Sequence, residues 1–296
     1  PRKVEYQMIL LWDTMKHVPF PVTTFVTDLD GTLLVGNDPC PDGVKALEQL
    51  VDCGVEVIVA TGRAFSECSF VLDALPFVER IISAGGAYAT DRDGRALHKS
   101  LMAPEVSDAV SCTLVADGQA SILLKDPACG LDYVVQGDAP LDPATSWWFR
   151  IHDIRMHHGP DPHPGSTLRA GAVGPPSVMA QSADAVRRVM GSQVHVQHWG
   201  ALTEADAVVD RPHLLEIFAP DTDKWTALLA LGVKPEQVAT VGDGHNDLRM
   251  LSSAPWSFAP DDGDSEAKSR AKCVVSSHRA GAVAEAVAHL LEDASL

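Results

Sequence analysis

The sequence has 296 residues, 46% of them hydrophobic and 21% charged, with a mean hydropathy close to zero, so it describes a folded chain of one large domain or two rather than a disordered or fibrous one. Its 40 acidic against 23 basic residues leave a formal charge of −17, which repels a polyanionic backbone or an anionic bilayer and excludes nucleic acid and membranes as expected partners. The apolar run Met8–Trp12 is too short for a membrane span, and the six cysteines lack CxxC or Cys/His spacing, so neither a zinc site nor a disulfide scaffold is expected and a reducing cytoplasm is the expected setting.

From Val22 the pattern alternates between strand-like and helical runs, as in a parallel sheet covered by helices on both faces. Val22–Thr27 predicts a buried strand. After a turn over residues 36–41, Val44, Leu47, Leu50 and Val51 recur at helical spacing, with Gly54 as C-cap. Val55–Ala60 is a continuous, largely β-branched run and predicts a second central strand; Ala64–Leu75 predicts a helix, and Arg80–Ser83 a third strand running into Gly85-Gly86.

Between Tyr88 and Pro212 the alternation stops. Ser121–Lys125 and Leu131–Val135 predict a hairpin, Thr167–Val173 and Val194–His198 two more strands with polar residues interleaved, and Val178–Met190 an amphipathic helix. Arg155–Gly165, with its Pro, Gly and His, predicts a loop. The pattern then resumes with strands at Leu214–Phe218, Val238–Val241, Trp256–Ala259 and Val274–Val275, and helices at Lys224–Leu231, Asn246–Leu251 and Ala282–Leu291. The expected architecture is therefore α/β: a Rossmann-like parallel-sheet core, residues 1–87 and 213–296, split by an inserted α+β domain, residues 88–212.

Open parallel sheets bind ligands beyond the carboxyl ends of their strands. After the first predicted strand comes Asp28-Leu29-Asp30-Gly31-Thr32, after the second Thr61-Gly62-Arg63, and after Val238–Val241 comes Gly242-Asp243-Gly244-His245-Asn246-Asp247; Lys224 opens a helix just upstream. Each piece also has a purely structural reading. Asp-x-Asp-Gly resembles a fragment of a calcium loop, although a strand precedes it and no Glu stands six residues beyond the Gly; Thr-Gly-Arg makes a strand-to-helix turn, Gly-Asp-Gly is a common turn, and a Lys at a helix start is commonly solvated. Together and in this order they make chemical sense. Asp28, Asp30, Asp243 and Asp247 would crowd up to four carboxylates, which requires a cation, and oxygen ligands with room for water favour Mg2+. One carboxylate can attack phosphorus, a second can protonate the leaving oxygen and then activate water, and the Thr61 hydroxyl, nearby backbone N–H groups and Lys224 can hold the remaining phosphoryl oxygens.

The strings TDLDGTLL, VIVATGR, LLEIFAPDTDKWTALLALG and VATVGDGHNDLRML resemble the four signature motifs of the haloacid dehalogenase superfamily, specifically its Cof-type phosphatases with a large cap inserted after the third core strand. The resemblance covers about residues 22–87 and 213–296. It implies Asp28 as nucleophile, Asp30 as acid/base and as a Mg2+ contact through its carbonyl, Asp243 as the remaining protein ligand, and Asp247 as an orienting residue behind the metal. It also implies Thr61, Lys224, Gly31 and Gly62 as phosphate binders, with Arg63 and Asn246 as substrate contacts. One departure stands out: Ser83-Ala84-Gly85-Gly86 replaces the Asn-Gly pair frequent after the third strand, which puts a side-chain contact from that turn in doubt.

The expected activity is thus Mg2+-dependent hydrolysis of a small phosphorylated metabolite, sugar phosphates first, by a monomer or small homo-oligomer. The alternatives are a phosphomutase with the same motifs and a non-catalytic metabolite-binding module; a dehalogenase would not need Asp30. In the insertion, Trp147, Trp148 and Phe149 either stack on substrate or fill the cap core, and His157, His158 and His163 are expected in a solvated loop rather than a metal cluster. The insertion is expected to hinge about Ala87–Thr90 and Asp210–Pro212 and to cover the site.

Overall fold

The computed structural model of the chain describes residues 22–201, 203 and 211–293; the run Met8–Trp12 and the hinge position Asp210 lie outside the described residues. The first part of the chain forms β1 (Thr24–Thr27), β2 (Leu34–Val35), β3 (Asp38–Pro39), α1 (Pro41–Asp52), β4 (Glu56–Ala60), α2 (Phe65–Ala74), β5 (Arg80–Ser83), β6 (Tyr88–Asp91) and β7 (Ala96–Lys99). There follow α3 (Pro104–Ala116), β8 (Ser121–Lys125), β9 (Tyr133–Gln136), α4 (Pro143–Ile151), β10 (Met156–His158), β11 (Thr167–Gly174), α5 (Pro176–Met190), β12 (His195–Gly200) and β13 (His213–Phe218). The last part forms α6 (Lys224–Ala230), β14 (Val238–Val241), α7 (Leu248–Ser253), β15 (Trp256–Pro260), α8 (Ser265–Arg270), β16 (Cys273–Val275) and α9 (Ala282–Asp293). None of the described helices is long and apolar enough to cross a membrane.

Two large sheets result. The first has the order β16-β15-β14-β1-β4-β5-β6-β7, parallel from β16 to β5 and antiparallel through β6 and β7. Its central strands are apolar on both faces, because successive side chains point to opposite sides. Phe25, Val57, Val59 and Ile81 enter one layer with Leu47, Leu50, Val287 and Leu290 of α1 and α9. Val26, Ile58, Ala60 and Ile82 enter the other with Trp225, Leu228 and Met250 of α6 and α7. The expected parallel-sheet α/β core is the observed one.

The second sheet has the order β10-β9-β8-β11-β13-β12. Leu123, Val134, Ala170, Ala172, Leu215 and Ile217 turn to α3 and α5, which cover one face. Leu124, Tyr133, Leu168 and Phe218 form a separate cluster with Ala64, Ala84, Ala87 and Tyr88 of the first part of the chain. The second face of the inserted sheet is therefore, in part, the contact with the core.

The expected boundaries of the insertion shift at both ends. Tyr88–Asp91 is paired with β5 through a tight turn and extends the core sheet, so Ala87–Thr90 cannot be a hinge. At the other end Leu214–Phe218, expected to reopen the core, pairs with β11 and β12 in the inserted sheet. A short apolar run does not encode which sheet it joins, and here the alternation of Leu215 and Ile217 with the buried Glu216 suits a strand with one apolar and one polar face. The chain crosses between the sheets near Ser100 and again between Phe218 and Thr222, and the Ser100 and Thr222 hydroxyls, 2.6 Å apart, join the two crossings. Within Arg155–Gly165, expected as a loop, residues 156–158 form the edge strand β10, parallel to β9.

Candidate active site

The candidate residues stand at the carboxyl ends of the central strands. Asp28 follows β1, its N–H donating to Val241 O of β14 at 3.0 Å, so neighbouring parallel strands set its position relative to Asp243. The chain then turns sharply through Gly31, at φ +73°, where a Cβ would lie 2.3 Å from Asp243 Oδ2. Only glycine lets this loop pass so close to that carboxylate. The Thr32 hydroxyl donates to Asp243 Oδ1 at 3.1 Å.

After β14, Asp247 folds its carboxylate back on its own loop, where Oδ2 accepts the N–H groups of Asp243 (3.1 Å) and Gly244 (3.0 Å). Its Oδ1 accepts from Lys224 Nζ at 2.6 Å, and the same ammonium donates to Asp28 Oδ1 at 2.6 Å. Lys224 reaches this point because α6 begins beside the core: Asp223 caps the helix through Thr226 N–H (2.8 Å), and Gly86, at φ +105°, passes so near that a Cβ would lie 2.2 Å from the Asp223 carbonyl. The turn where an Asn-Gly side chain was in doubt thus serves here by close backbone approach.

The carboxylates of Asp28, Asp243 and Asp247 offer oxygens that all lie within 4.8 Å of one another. Burial raises the Asp28 carboxyl to about 7; Lys224 opposes that shift, and the Asp247 and Asp30 charges add to it. Burial, with the charges of Asp28 and Asp247, holds Asp243 well above the usual carboxylate range. Lys224 is fully buried, which disfavours its charge, yet the two carboxylates outweigh that cost and raise it above an ordinary lysine. Three carboxylates against one ammonium leave an excess of negative charge, and an all-oxygen donor set of this kind fits a hard divalent cation such as Mg2+. Asp247 has both oxygens engaged, so Asp28 and Asp243 are better placed to ligate.

Asp30 takes no part in that trio. Its carboxylate accepts two hydrogen bonds from Arg63, Nε to Oδ2 at 2.7 Å and Nη2 to Oδ1 at 2.5 Å. Arg63, expected as a substrate contact, thus directs its fork at Asp30, with Nη1 donating to Glu67 O at 3.4 Å. The Thr61 hydroxyl accepts Arg63 N–H at 3.1 Å, the turn-forming arrangement, and the Asn246 amide lies beside Gly62.

The inserted region touches this loop directly. Arg169 of β11 donates to Gly62 O at 2.9 Å and pairs with Glu216 of β13, while Tyr133 OH donates to Glu67 at 2.7 Å. Of the aromatic run on α4, Phe149 packs on Tyr133 with ring centroids 4.7 Å apart, and Trp148 lies over the Arg63 guanidinium at 4.9 Å. The contacts of Arg169 and Tyr133 were not foreseen from the sequence, where nothing distinguishes them from ordinary strand positions, whereas Trp148, expected to stack on substrate or to fill the cap core, instead covers the Arg63 guanidinium. Among the described residues His157, His158 and His163 form no metal-ligating group.

A family model of haloacid dehalogenase-like hydrolases matches residues 25–126 and 193–287, more than half of the chain. The chain is 25% identical to the 5-amino-6-(5-phospho-D-ribitylamino)uracil phosphatase YwtE of Bacillus subtilis over 292 residues, covering 89% of this chain and 96% of that protein. A HAD/COF-like hydrolase from Plasmodium vivax superposes with a TM-score of 0.73 at 21% identity, covering 95% of this chain and 99% of that one. The HAD subclass IIB sugar phosphatase BT4131 superposes with a TM-score of 0.73 at 16% identity, covering 90% and 98%. The chain therefore belongs to the haloacid dehalogenase-like hydrolases, Cof-type, and is a phosphatase of that superfamily.

Proposed function

We propose that the protein is a Mg2+-dependent hydrolase of small phosphomonoesters, sugar phosphates first among them, working through an aspartyl-phosphate on Asp28. The observation that carries this reading is the Lys224 ammonium bridging Asp28 and Asp247 at 2.6 Å each, with Asp243 in the same cluster. Lys224 holds one Asp28 oxygen, and among the described residues no hydrogen bond engages the other, which is the atom that attacks phosphorus. Asp30 protonates the leaving oxygen and later takes the proton of the attacking water. Lys224, the Thr61 hydroxyl and the backbone N–H groups of Gly31 and Gly62 bind the phosphoryl oxygens where charge lies in the transition state. Asp28, Asp243 and the Asp30 carbonyl would hold Mg2+, which supplies positive charge to offset that of the phosphoryl group.

The metabolite class rests on two names. One relative is named for a phospho-ribitylamino-uracil and one structural neighbour for sugar phosphates, in both cases a phosphorylated polyhydroxy chain. We take the inserted region, about residues 101–218, as the cap that selects the leaving group, because the core residues are engaged with metal and phosphoryl oxygens and have little left to discriminate with. The test is phosphate release from a panel of phosphorylated metabolites with Mg2+ and with EDTA. Metal-dependent release from sugar phosphates above aryl phosphates is expected; release unaffected by EDTA would contradict the reading.

A further inference from the structure

Arg63 is enclosed on every side the structure describes. It is 5% exposed, its fork lies on Asp30, and its guanidinium carbon faces two aromatic rings, Phe70 at 5.5 Å and Trp148 at 4.9 Å. The two rings have different origins. Phe70 belongs to α2, seven residues after Arg63 in the core, whereas Trp148 belongs to α4 of the inserted region. Trp148 is itself backed by the His152 ring, with centroids 4.3 Å apart, and its helix is fixed by Phe149 on Tyr133.

From this geometry we propose that Trp148 is a positioning residue for the acid/base Asp30, acting through Arg63. The inference deepens the phosphatase reading above and rests on it. A guanidinium stacked on an aromatic face has its plane fixed, and a bidentate fork passes that orientation to the carboxylate it holds. Asp30 sits in the turn after β1, with its side chain 23% exposed, and Arg63 holds both of its carboxylate oxygens. Trp148 reaches the guanidinium only when the inserted sheet is docked on the core, as it is here through Arg169 and Tyr133. Docking of the cap therefore aligns the proton donor as well as covering the substrate.

The consequence is specific to proton transfer. Loss of alignment weakens protonation of the leaving oxygen, which matters for a poor leaving group and hardly at all for a good one. The experiment is kcat/KM for a series of aryl phosphates of rising leaving-group pKa, with Mg2+, for wild type, Trp148→Leu, Trp148→Phe, Arg63→Met and the double variant Trp148→Leu/Arg63→Met. In Trp148→Leu the loss on the poorest leaving group is expected to be about tenfold or more, a part of the roughly 10²–10⁴-fold that positioned proton transfer supplies, and the best leaving group is expected to change by less than about threefold. Trp148→Phe retains the wild-type slope because an aromatic face remains. The double variant is no steeper than Arg63→Met, since the two residues act along one path.

Equal losses across the series in Trp148→Leu, or additive losses in the double variant, would overturn the proposal and leave Trp148 as part of the cap packing only. Should Trp148→Leu fail to fold by circular dichroism, Phe70→Leu, at a ring 37% exposed on the core, addresses the other face of the same guanidinium and is expected to steepen the series too; an unchanged slope there overturns the proposal as well. Failure of the underlying reading is distinguishable, because it would appear as full turnover in Asp28→Asn or as no phosphate release by wild type.

Discussion

The Lys224 ammonium lies 2.6 Å from Asp28 Oδ1, joined to it across 196 positions of sequence and sealed from solvent. This pair links the two halves of the core: Asp28 ends the central strand, Lys224 opens a helix that the chain reaches only after the whole insertion. A buried ammonium between carboxylates is stable only because its partners are charged, so the group is a structural keystone as well as the proposed phosphate binder.

Replacing Lys224 with Met removes the positive charge from a cluster that keeps its carboxylates. Turnover is expected to fall by at least about 100-fold, the scale of losing one preorganised charged donor. Metal-free stability is expected to fall by about 3–5 kcal/mol, the cost of leaving buried charge without its partner. Urea unfolding in EDTA and steady-state phosphate release check the two effects, and a variant within 1 kcal/mol of wild type, about the worth of an exposed ion pair, would show that the pair is solvated rather than buried.

Asp28 gives a pH dependence whose sign is fixed. Burial above all raises its carboxyl from the ordinary 3.8 to about 7, so the folded chain accepts the neutral form more readily than the unfolded chain does. Its contribution to stability is complete below the ordinary value and is lost as pH rises through about 7. Asn cannot ionise, so in metal-free protein Asp28→Asn is expected to gain stability relative to wild type on going from about pH 5 to about pH 8. Urea midpoints of both proteins in EDTA at the two pH values measure it; a difference independent of pH would mean that Asp28 is not a buried titrating group.

Much of this site was legible because it sits in local strings. Asp28, Asp30, Thr61, Asp243 and Asp247 each follow an apolar run that ends in a turn, and a strand end is a position that periodicity and glycine mark in the sequence. What could not be read depends on partners distant in the chain. The apolar run of Leu214–Phe218 marks a strand, but its place beside β11 and β12 is decided by tertiary pairing, and the three residues of β10 are too few for an alternation to register. The hold of Arg63 on Asp30 and the ring of Trp148 above it arise from side chains reaching between loops of different strands, which no spacing along the chain reveals.

Arg169 offers a test of how the inserted sheet is held. It is buried, pairs with the buried Glu216, and donates to Gly62 O in the loop that carries Thr61 and Arg63. Arg169→Leu leaves Glu216 buried without its cation and is expected to destabilise the protein by about 3–5 kcal/mol. The double variant Arg169→Leu/Glu216→Leu removes both charges and is expected to recover most of that loss, because an apolar pair tolerates burial. Thermal or urea unfolding of the three proteins decides it, and a double variant no more stable than the single one would assign the loss to the Gly62 contact instead of the unpaired carboxylate.

The central claim is that Asp28 becomes phosphorylated and that Asp30 is required to release it. It is tested most directly in Asp30→Asn, mixed rapidly with an activated aryl phosphate and Mg2+, acid-quenched, and mapped by peptide mass spectrometry. A burst of the phenol close to one equivalent per chain is expected, followed by slow turnover, with the added phosphoryl group on the peptide containing Asp28. No burst and no phosphorylated peptide, with the variant folded and wild type active under the same conditions, would contradict it.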